Sequence, residues 1–533
     1  MTADVVIAGA GPNGLMLACE LSLAGVRPIV LERLNGQTKE NRANGLVGQV
    51  VRALDRRGLH ERLSGSAEPP RPSPAFVFGA MPLDLGRLDD NPMYGLAVPQ
   101  RRIEQVLEER ALELGVEIRR GHELTGLSQD EDGVTAEIAG PEGPYRLRTR
   151  YLVGADGGRS VTRKLCGIGF PGVTRDDSVS RGGHVSMPAE LIDPVTGGLN
   201  VPGYGPIPPF MHHRTDHGMF VYAPFPTGTL VNATEWNQDG GDEPMSLDEL
   251  RESVRRVLGV DLPFGPPEGP GPHQLRRLSG GNTRLAERFR DGRVLLLGDA
   301  AHVHSAIGGP GLNLGLQDAL NLGWKLAAEI HGWAPPGLLD TYETERRPAA
   351  ERVVMHTQAQ AALIAPGPEV TALRVLFGEL LRDARTTKHI ADLMSGADIR
   401  YALEGTHPLT GCPAPDLVLE TETGSVRLAE LTRTARPLLI DLTPDAALAG
   451  ALDGRRDRVD LVTAKTSGEG LPTALHCAPA ALRCAPAALR CAPTALLVRP
   501  DCYVAWASDS LSPDAKELDT LRTALASAFG ADR

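Results

Sequence analysis

A glycine-rich turn near the amino terminus constrains the fold of this chain more than any other feature. The turn, Gly9-Ala10-Gly11-Pro12-Asn13-Gly14, follows the apolar run 5–8 and opens the stretch 15–24, whose apolar residues have helical spacing. A second apolar run, 28–31, ends at Glu32, whose carboxylate can accept hydrogen bonds from ribose hydroxyls. Glycines let the backbone approach a ligand, and a helix amino terminus attracts a pyrophosphate. The pattern predicts a strand–helix–strand unit that binds a dinucleotide; a tight turn without a ligand is the weaker alternative.

Two later motifs also place a glycine loop and an aspartate after an apolar strand. Gly298-Asp299-Ala300-Ala301-His302 follows the apolar strand 293–297 and precedes a glycine-rich helix start at 308–313. An aspartate in that position can hold a ligand hydroxyl while free helix amides face an anion. The other motif is Gly154-Ala155-Asp156-Gly157-Gly158-Arg159-Ser160, for which a turn capped by its aspartate is an equally good interpretation. Spacing alone does not name the ligand.

In this order the three motifs resemble the FAD-dependent aromatic hydroxylases, the single-component flavoprotein monooxygenases of which para-hydroxybenzoate hydroxylase is the prototype. The segments that carry the resemblance are GAGPNG, VGADGGRS, RVLLLGDAAHVH and GLNLGLQDALNLGWKLA. It covers about residues 1–400. The remaining residues, with SVRLAEL and ALLVRPDCYVAWAS, look like the thioredoxin-like carboxyl-terminal domain of the subfamily that oxidises polyketides or phenols.

The resemblance implies an α/β fold in three parts. They are a Rossmann-like FAD-binding domain at 1–171 and 273–400, an inserted α+β substrate-binding domain at 172–272, and a thioredoxin-like carboxyl-terminal domain at 401–533. Apolar spacing by itself predicts helices over 103–114, 247–258 and 312–329, and strands over 134–138, 219–224 and 293–297.

The resemblance also assigns residues to FAD. In chain order they are Gly9, Gly11, Pro12, Asn13, Gly14, Glu32, Arg33, Arg42, Gln100, Leu124, Asp156, Asp299, Gly311, Leu312 and Asn313. Glu32 is expected to take the adenosine ribose and Asp299 the ribityl hydroxyls, while Arg42 matches an arginine beside the pyridine nucleotide path. The helix start at Gly311 is expected to face the flavin pyrimidine ring, where it would stabilise the negative charge of the reduced flavin.

The activity implied is that of a monooxygenase that consumes NAD(P)H and O2. It would insert one oxygen atom into a polycyclic aromatic, polyketide-type or phenolic substrate through a flavin C4a-hydroperoxide. Hydroxylation is favoured, since the signature FxGxxxHxxxWP of dedicated Baeyer–Villiger enzymes is absent. A Baeyer–Villiger reaction on the same scaffold stays open, and so does a non-catalytic flavin-binding sensor or antibiotic-sequestering protein. An NAD-dependent dehydrogenase would leave the second and third motifs unexplained.

The substrate pocket is the part that the resemblance specifies least. The candidate pocket residues are His212, His213, Tyr222, Trp236, Ser305, Ala306 and Ile307. Ser305-Ala306 replaces a proline-containing pair of many relatives, so substrate contacts there cannot be carried over. For the histidines, residues of a sheet surface are the favoured interpretation; a metal site is disfavoured because HHRTDH lacks an obvious fourth ligand. No catalytic side chain is assigned.

Composition limits which binding partners and which cellular compartment this chain is expected to have. The net charge of −12 argues against nucleic acid, because binding phosphates needs a basic surface. No apolar run reaches the roughly 18 residues of a membrane span, and Asp4 stands where a secretory signal carries positive charge. Seven cysteines form no CxxC pair, which fits free thiols in a reducing cytoplasm. We expect a cytoplasmic enzyme without metal, nucleic-acid or membrane partners; a homodimer stays open.

A tandem seven-residue repeat interrupts the carboxyl-terminal domain. Its units are ALHCAPA at 474–480, ALRCAPA at 481–487 and ALRCAPT at 488–494. A proline every seven residues prevents a continuous helix, which favours an expanded surface loop. The equally spaced cysteines leave a metal or thiol device as the weaker alternative.

Overall fold

The computed structural model describes most of the chain. The described residues are 2–37, 45–225, 228–238, 240–241, 243–269, 271, 273–305, 307, 309–422, 424–464 and 493–531. Three predictions fall outside these ranges: the assignment of Arg42, the assignment of Ala306, and the loop interpretation of repeat residues 474–492.

The first sheet has eight strands within the described residues. In chain order they are Thr2–Ala8, Pro28–Glu32, Glu117–Arg120, Glu123–Gln129, Val134–Gly140, Gly143–Gly154, Arg290–Asp291 and Val294–Leu296. Thr2–Ala8 pairs in parallel with Pro28–Glu32 on one side and with Gly143–Gly154 on the other, and Val294–Leu296 extends the parallel set. The carboxyl ends of these four strands therefore meet at one edge. We call this edge, where the three glycine motifs begin, the cofactor edge.

Helices cover this sheet and carry its core. The helix Pro12–Leu23 packs against the long helix Pro310–His331, and both bury apolar residues such as Leu17 and Leu322. Pro310 at the first helical position suits a helix start, because its fixed backbone angle is already helical. The other helices longer than one turn are Gln49–Asp55, His60–Ser64, Gln100–Glu113, Val161–Leu165, Leu247–Leu258, Thr341–Ile364, Pro368–Leu380, Ala384–Ser395 and Ala515–Phe529.

All six elements predicted from apolar spacing are present. The predicted helices correspond to Gln100–Glu113, Leu247–Leu258 and Pro310–His331, and the predicted strands to Val134–Gly140, Gly218–Phe225 and Val294–Leu296. No single described helix is long and apolar enough to cross a bilayer. The bent pair Thr341–Ile364 and Pro368–Leu380 meets that test of length and composition only when its two helices are counted together.

The second sheet is antiparallel and has six strands among the described residues. In spatial order they are His212–Arg214, Gly218–Phe225, Gly228–Trp236, Gly172–Val185, Leu275–Leu285 and His302–Val303. The helix Leu247–Leu258 covers one face, burying Val254 against Phe220. We call the opposite face the open face. Because Leu275–Leu285 pairs with this sheet, the sheet extends past the domain boundary predicted at 272; the domain division itself stays a prediction.

A separate four-stranded sheet lies near the carboxyl terminus. Its strands, in spatial order, are Asp460–Thr463, Leu438–Asp441, Ala495–Val498 and Val504–Ser508. Its core reaches the FAD-binding domain, where Trp324 of the long helix packs on Phe529 with ring centroids 5.9 Å apart. Buried charges also cross between the two domains: Arg499 pairs with Glu345 at 2.7 Å, and Arg57, itself paired with Glu20, donates to the carbonyl oxygen of Pro500. The carboxyl-terminal domain is therefore docked through both apolar and ionic contacts.

Candidate cofactor and substrate site

The first glycine turn is fixed by contacts that only glycine allows. Gly9 has φ +113°, and a Cβ there would lie 2.4 Å from the carbonyl oxygen of Ala155. A Cβ on Gly14 would lie 2.1 Å from the carbonyl oxygen of Gly9. By contrast, a Cβ on Gly11 would meet no protein atom within 4 Å. Two glycines thus bring helix and strands together, and the third leaves open space at the helix start, where a pyrophosphate fits.

Glu32 is held in place at the end of its strand. Its two carboxylate oxygens accept hydrogen bonds from the backbone amides of Ala10 and Leu34, each at 2.9 Å. Each oxygen retains a second lone pair, so ribose hydroxyls can still donate to it. Arg33 is exposed beside it. Glu32 therefore lies at the strand end with a fixed carboxylate, and its binding of the adenosine ribose stays a prediction.

The loop that contains Asp156 carries an unsatisfied acceptor. Asp156 Oδ2 accepts hydrogen bonds from the amide and the hydroxyl of Thr162, each at 2.9 Å. Asp156 Oδ1 is buried and has no partner in the described part of the chain. The turn interpretation is met, since one oxygen caps a helix; the other oxygen is available to a donor group, and the ligand interpretation stays a prediction.

Asn13 links the first glycine turn to two other glycine segments at the cofactor edge. Its side chain lies between Gly298 and Gly315, where added Cβ atoms would be 2.1 and 2.3 Å from Asn13 Nδ2. Asn13 Oδ1 is buried without a described partner. Gly315 was not predicted as a site residue, although its place one turn after Gly311 in the glycine-rich helix was a visible signal. The buried acceptors of Asn13 and Asp156, and the space at Gly11, fit a large polar cofactor.

The start of the long helix faces the same edge. Gly309 precedes it with φ +67° and no side chain caps it, so the first amides of the helix lack intrahelical partners. Asn313 is engaged by the protein itself: Oδ1 accepts from the amide of Val47 at 3.0 Å, and Nδ2 donates to Gly309 at 2.7 Å. Asn313 thus holds the helix start against the segment at Val47.

The other predicted cofactor residues differ in their surroundings. Asp299 is exposed in a single helical turn at the end of its strand, where a cofactor can reach it. Gln100 begins its helix and donates to Glu104 at 2.8 Å. Leu124 is 5% exposed and packs in an apolar core with Val134 and Ile138, so its side chain is not placed to meet a ligand.

The predicted pocket residues of the second sheet lie on both of its faces. Tyr222 is fully buried beneath the helix Leu247–Leu258, and its hydroxyl has no described partner. His213 lies on that same face, since it pairs with Phe220, and accepts or donates at 2.6 Å with the hydroxyl of Tyr204. Neither side chain lies on the open face.

His212 and Trp236 are the predicted pocket residues on the open face. His212 pairs with Val221, whose side chain points away from the covering helix, and burial lowers the pKa of His212. Trp236 ends its strand opposite Ser178. Ser305 and Ile307 are half-buried in the loop before the long helix. The structure therefore divides the predicted pocket residues between the open face, that loop and the helix-covered core.

A polar patch on the open face was not predicted. Asn232 Nδ2 donates to Ser180 Oγ at 2.9 Å, and Thr234 Oγ1 lies 3.2 Å from the same oxygen. These side chains come from strands more than fifty residues apart in sequence, and their alternation along Gly228–Trp236 was the only signal that could have revealed them. Within the described residues, no group of three or more histidine, cysteine or acidic side chains is arranged to hold a metal ion.

Comparison with known proteins shows to which family the chain belongs. A family model described as FAD binding domain matches residues 2–357, and one described as aromatic-ring hydroxylase, C-terminal, matches residues 407–532. The chain belongs to the FAD-dependent aromatic hydroxylases. This hydroxylase is 44% identical to the 12-dehydrotetracycline 5-monooxygenase/anhydrotetracycline 6-monooxygenase of Streptomyces rimosus, over 98% of this chain and 99% of that protein.

Two solved structures are similar to the hydroxylase over its whole length. OxyS anhydrotetracycline hydroxylase from Streptomyces rimosus superposes with a TM-score of 0.83 at 41% identity, covering 100% of both chains. CabE, an aromatic hydroxylase from angucycline biosynthesis, has a TM-score of 0.81 at 37% identity, again covering 100% of both. The predicted family, fold class, monooxygenase activity and FAD cofactor are confirmed; NAD(P)H is the reductant typical of the family. The assignments of single residues stay predictions.

Proposed function

We propose that this hydroxylase adds one hydroxyl group to a polycyclic aromatic substrate of the polyketide type. The observation that carries the proposal is the meeting of the two sheets at the cofactor edge. Val303, in the edge strand of the second sheet, lies 2.9 Å from the Cβ position of Gly158 in the Asp156 loop. A cofactor bound at this edge would therefore adjoin the second sheet. The tetracycline-type and angucycline names of the relatives support a multi-ring substrate.

The residues at the cofactor edge would hold FAD. The turn at Gly11 would face the pyrophosphate, Glu32 the adenosine ribose, Asp299 the ribityl hydroxyls, and the amides of Gly311 and Leu312 the pyrimidine ring. When bound, FAD supplies the activation of O2 and takes electrons from NAD(P)H. The net reaction converts a ring C–H bond to C–OH with one atom of O2, and the other atom leaves as water.

The chain itself contributes binding, orientation and charge stabilisation. The partial positive charge of the long helix start favours negative charge near Gly311. Ser180, Asn232 and Thr234 offer neutral donors and acceptors to the oxygen substituents of a planar substrate. His212, whose pKa is lowered by burial, is neutral at pH 7 and can accept a phenol hydrogen bond. Apolar residues such as Met219 on the same face exclude water.

The test is an aerobic incubation of the purified protein with FAD, NADPH and a panel of polycyclic phenols and quinones. We expect a product heavier by one oxygen atom in mass spectrometry, with fragments that place the oxygen on a ring carbon as hydroxyl. Omission of NADPH is the control. A fragment pattern of ring expansion would replace hydroxylation by a Baeyer–Villiger reaction. A protein that holds FAD but neither oxidises NADPH nor forms product with any ligand would favour the sensor or sequestering function.

The placement of FAD is tested separately with Asp299→Ala. Loss of the carboxylate leaves ribityl hydroxyls unpaired, at a cost of about 1–3 kcal/mol, so FAD affinity should fall by roughly one to two orders of magnitude. Fluorescence titration of the apoprotein with FAD measures it. Unchanged affinity would contradict the placement, whatever the substrate is.

A further inference from the structure

A chain of buried polar side chains runs behind the cofactor edge. His302 Nε2 lies 2.7 Å from Asp318 Oδ2, and Asp318 Oδ1 accepts a hydrogen bond of 2.7 Å from Arg346 Nε. All three side chains are 0% exposed. We call these three residues the clamp. The three side chains are not among the groups expected to contact FAD, so the function proposed above leaves the clamp without a role.

The hydrogen-bonding groups of the clamp define its charge state. Burial alone would raise the pKa of Asp318, but the charge of Arg346 and the hydrogen bonds from His302 and Arg346 lower it. Asp318 is therefore a carboxylate, and His302 must donate its Nε2 proton to it. The other ring nitrogen, His302 Nδ1, has no partner in the described part of the chain. The single bond to Asp318 thus orients the ring.

The clamp joins two segments that are far apart along the chain. His302 comes three residues after Asp299, in the turn expected to hold the ribityl hydroxyls. Asp318 lies seven residues, or about two helical turns, after Gly311, on the same side of the long helix. A bond between His302 and Asp318 therefore fixes the distance between the ribityl contact and the helix start expected to face the pyrimidine ring.

A second contact pins the loop between these segments. The ring of His304 lies parallel to that of His302, with centroids 6.2 Å apart. Its Cε1 occupies the space where a Cβ on Gly311 would be, at 3.0 Å. His304, two residues after His302, thus packs against the first turn of the helix. Both ends of the loop are tied to that helix.

Side chains of the carboxyl-terminal domain contact Arg346, the third residue of the clamp. Arg346 Nη1 donates to the hydroxyl of Tyr401 at 3.2 Å. The ring of Tyr401 stacks on Tyr503 with centroids 4.1 Å apart. Tyr503 follows the third strand of the carboxyl-terminal sheet, so docking of this domain holds Arg346 in place.

We propose that His302, acting through Asp318, is a positioning residue that sets the spacing between the ribityl and pyrimidine contacts of FAD. The proposal rests on the FAD placement given above. His302 acts only through the segments it holds. Its loss should therefore loosen the cofactor and change the flavin environment without removing any group that contacts FAD.

The experiment compares two amide substitutions. In His302→Gln, the side-chain nitrogen reaches the position of Nε2 and can still donate to Asp318; in His302→Asn, the shorter side chain cannot reach it. We expect His302→Asn to raise the FAD dissociation constant at least about tenfold, the factor of one hydrogen bond to a charged group, and His302→Gln to keep most of the wild-type affinity. We also expect a shifted visible absorption spectrum and reduction potential of bound flavin for His302→Asn only.

Controls separate this inference from the FAD placement and from misfolding. His331→Asn removes a hydrogen bond of 2.8 Å at the far end of the same helix and should change neither affinity nor spectrum. Equal FAD affinity and spectra for His302→Asn and His302→Gln would overturn the proposal if Asp299→Ala still weakens binding. If Asp299→Ala is also without effect, the FAD placement fails and the proposal fails with it. Circular dichroism of each apoprotein shows whether it is folded. If His302→Asn unfolds while His302→Gln folds, His302 is a stability residue, and this result would also overturn the proposal.

Discussion

Acidification should destabilise this protein through a buried histidine on the helix Thr341–Ile364. His356 is 1% exposed, and burial, together with the charge of Arg352, lowers its pKa from 6.5 to about 4. The unfolded chain therefore binds a proton near pH 6.5 that the folded chain does not bind until about pH 4. Stability from this group is complete above pH 6.5 and is lost as the pH falls between these two values.

The size of the effect follows from the width of that interval. Each pH unit is worth about 1.4 kcal/mol per proton, so His356 costs the folded state about 2 kcal/mol between pH 6.5 and pH 5. Other groups also titrate in this range; among them, burial raises the pKa of Asp392 to about 6, which acts in the opposite direction. The contribution of His356 must therefore be measured as a difference between variants.

The assay is urea unfolding followed by tryptophan fluorescence at pH 7 and pH 5. His356→Asn keeps an acceptor for the amide of Gln360, which lies 3.3 Å from His356 Nδ1, but cannot take up a proton. The wild type should lose about 2 kcal/mol more than this variant between the two pH values. His331→Asn, an exposed position, is the matched control and should follow the wild type. Parallel losses in wild type and His356→Asn would refute the reasoning.

Three other substitutions or deletions have outcomes that the structure specifies. Gly14→Ala should abolish FAD binding in a fluorescence titration, because its Cβ would lie 2.1 Å from the carbonyl oxygen of the first glycine of the turn. Arg57→Ala should lower the free energy of unfolding in urea by about 3–5 kcal/mol, since it leaves Glu20 charged and unpaired in a site where both side chains are 2% exposed. Deleting residues 474–487, two repeat units, should leave FAD affinity and hydroxylation unchanged if the repeat is a surface loop; loss of FAD binding would contradict that interpretation.

The cofactor edge could be predicted because backbone geometry limits its residue types. Gly9 and Gly14 have no room for a Cβ, and Glu32 follows its strand at a position set by the parallel sheet. Such requirements leave a visible pattern of glycines and acids at fixed spacing. The same applies to the long helix, whose glycine-rich start and apolar spacing identified it within two residues at each end.

The partners of the cofactor edge could not be predicted, because they depend on contacts between distant segments. The sequence shows His302 and Asp318 sixteen residues apart, but nothing in that spacing says that they share a hydrogen bond. The buried pair of Arg57 with Glu20 joins the turn after the helix Gln49–Asp55 to the helix Pro12–Leu23. Only the folded arrangement reveals that these charges are compensated.

Tyr222 illustrates how the choice of face decides a functional assignment. In an extended strand, neighbouring side chains point to opposite faces, so Tyr222 and Val221 cannot both line a pocket. The sequence of Gly218–Phe225 is apolar on both faces and gives no sign of which one the helix covers. The structure places Tyr222 in the core. A phenol hydroxyl that looked suited to substrate binding is thereby removed from the pocket.

Backbone geometry limits the residues of the cofactor edge, whereas the side chains of the open face are exchangeable. This difference explains why the family can be inferred while the substrate remains a proposal. In the proposed placement FAD would be held mainly by backbone amides, by glycines that avoid clashes, and by two acids, so few sequences satisfy the site. In the proposed function a substrate on the open face would meet side chains such as Ser180, Asn232 and Thr234, each replaceable by other residues without disturbing the sheet. Variation there changes which ring binds while the cofactor edge stays constant. Substrate choice in this hydroxylase should therefore respond to substitutions on the open face that leave FAD affinity untouched, and a change in both together would mean that the two sites are coupled.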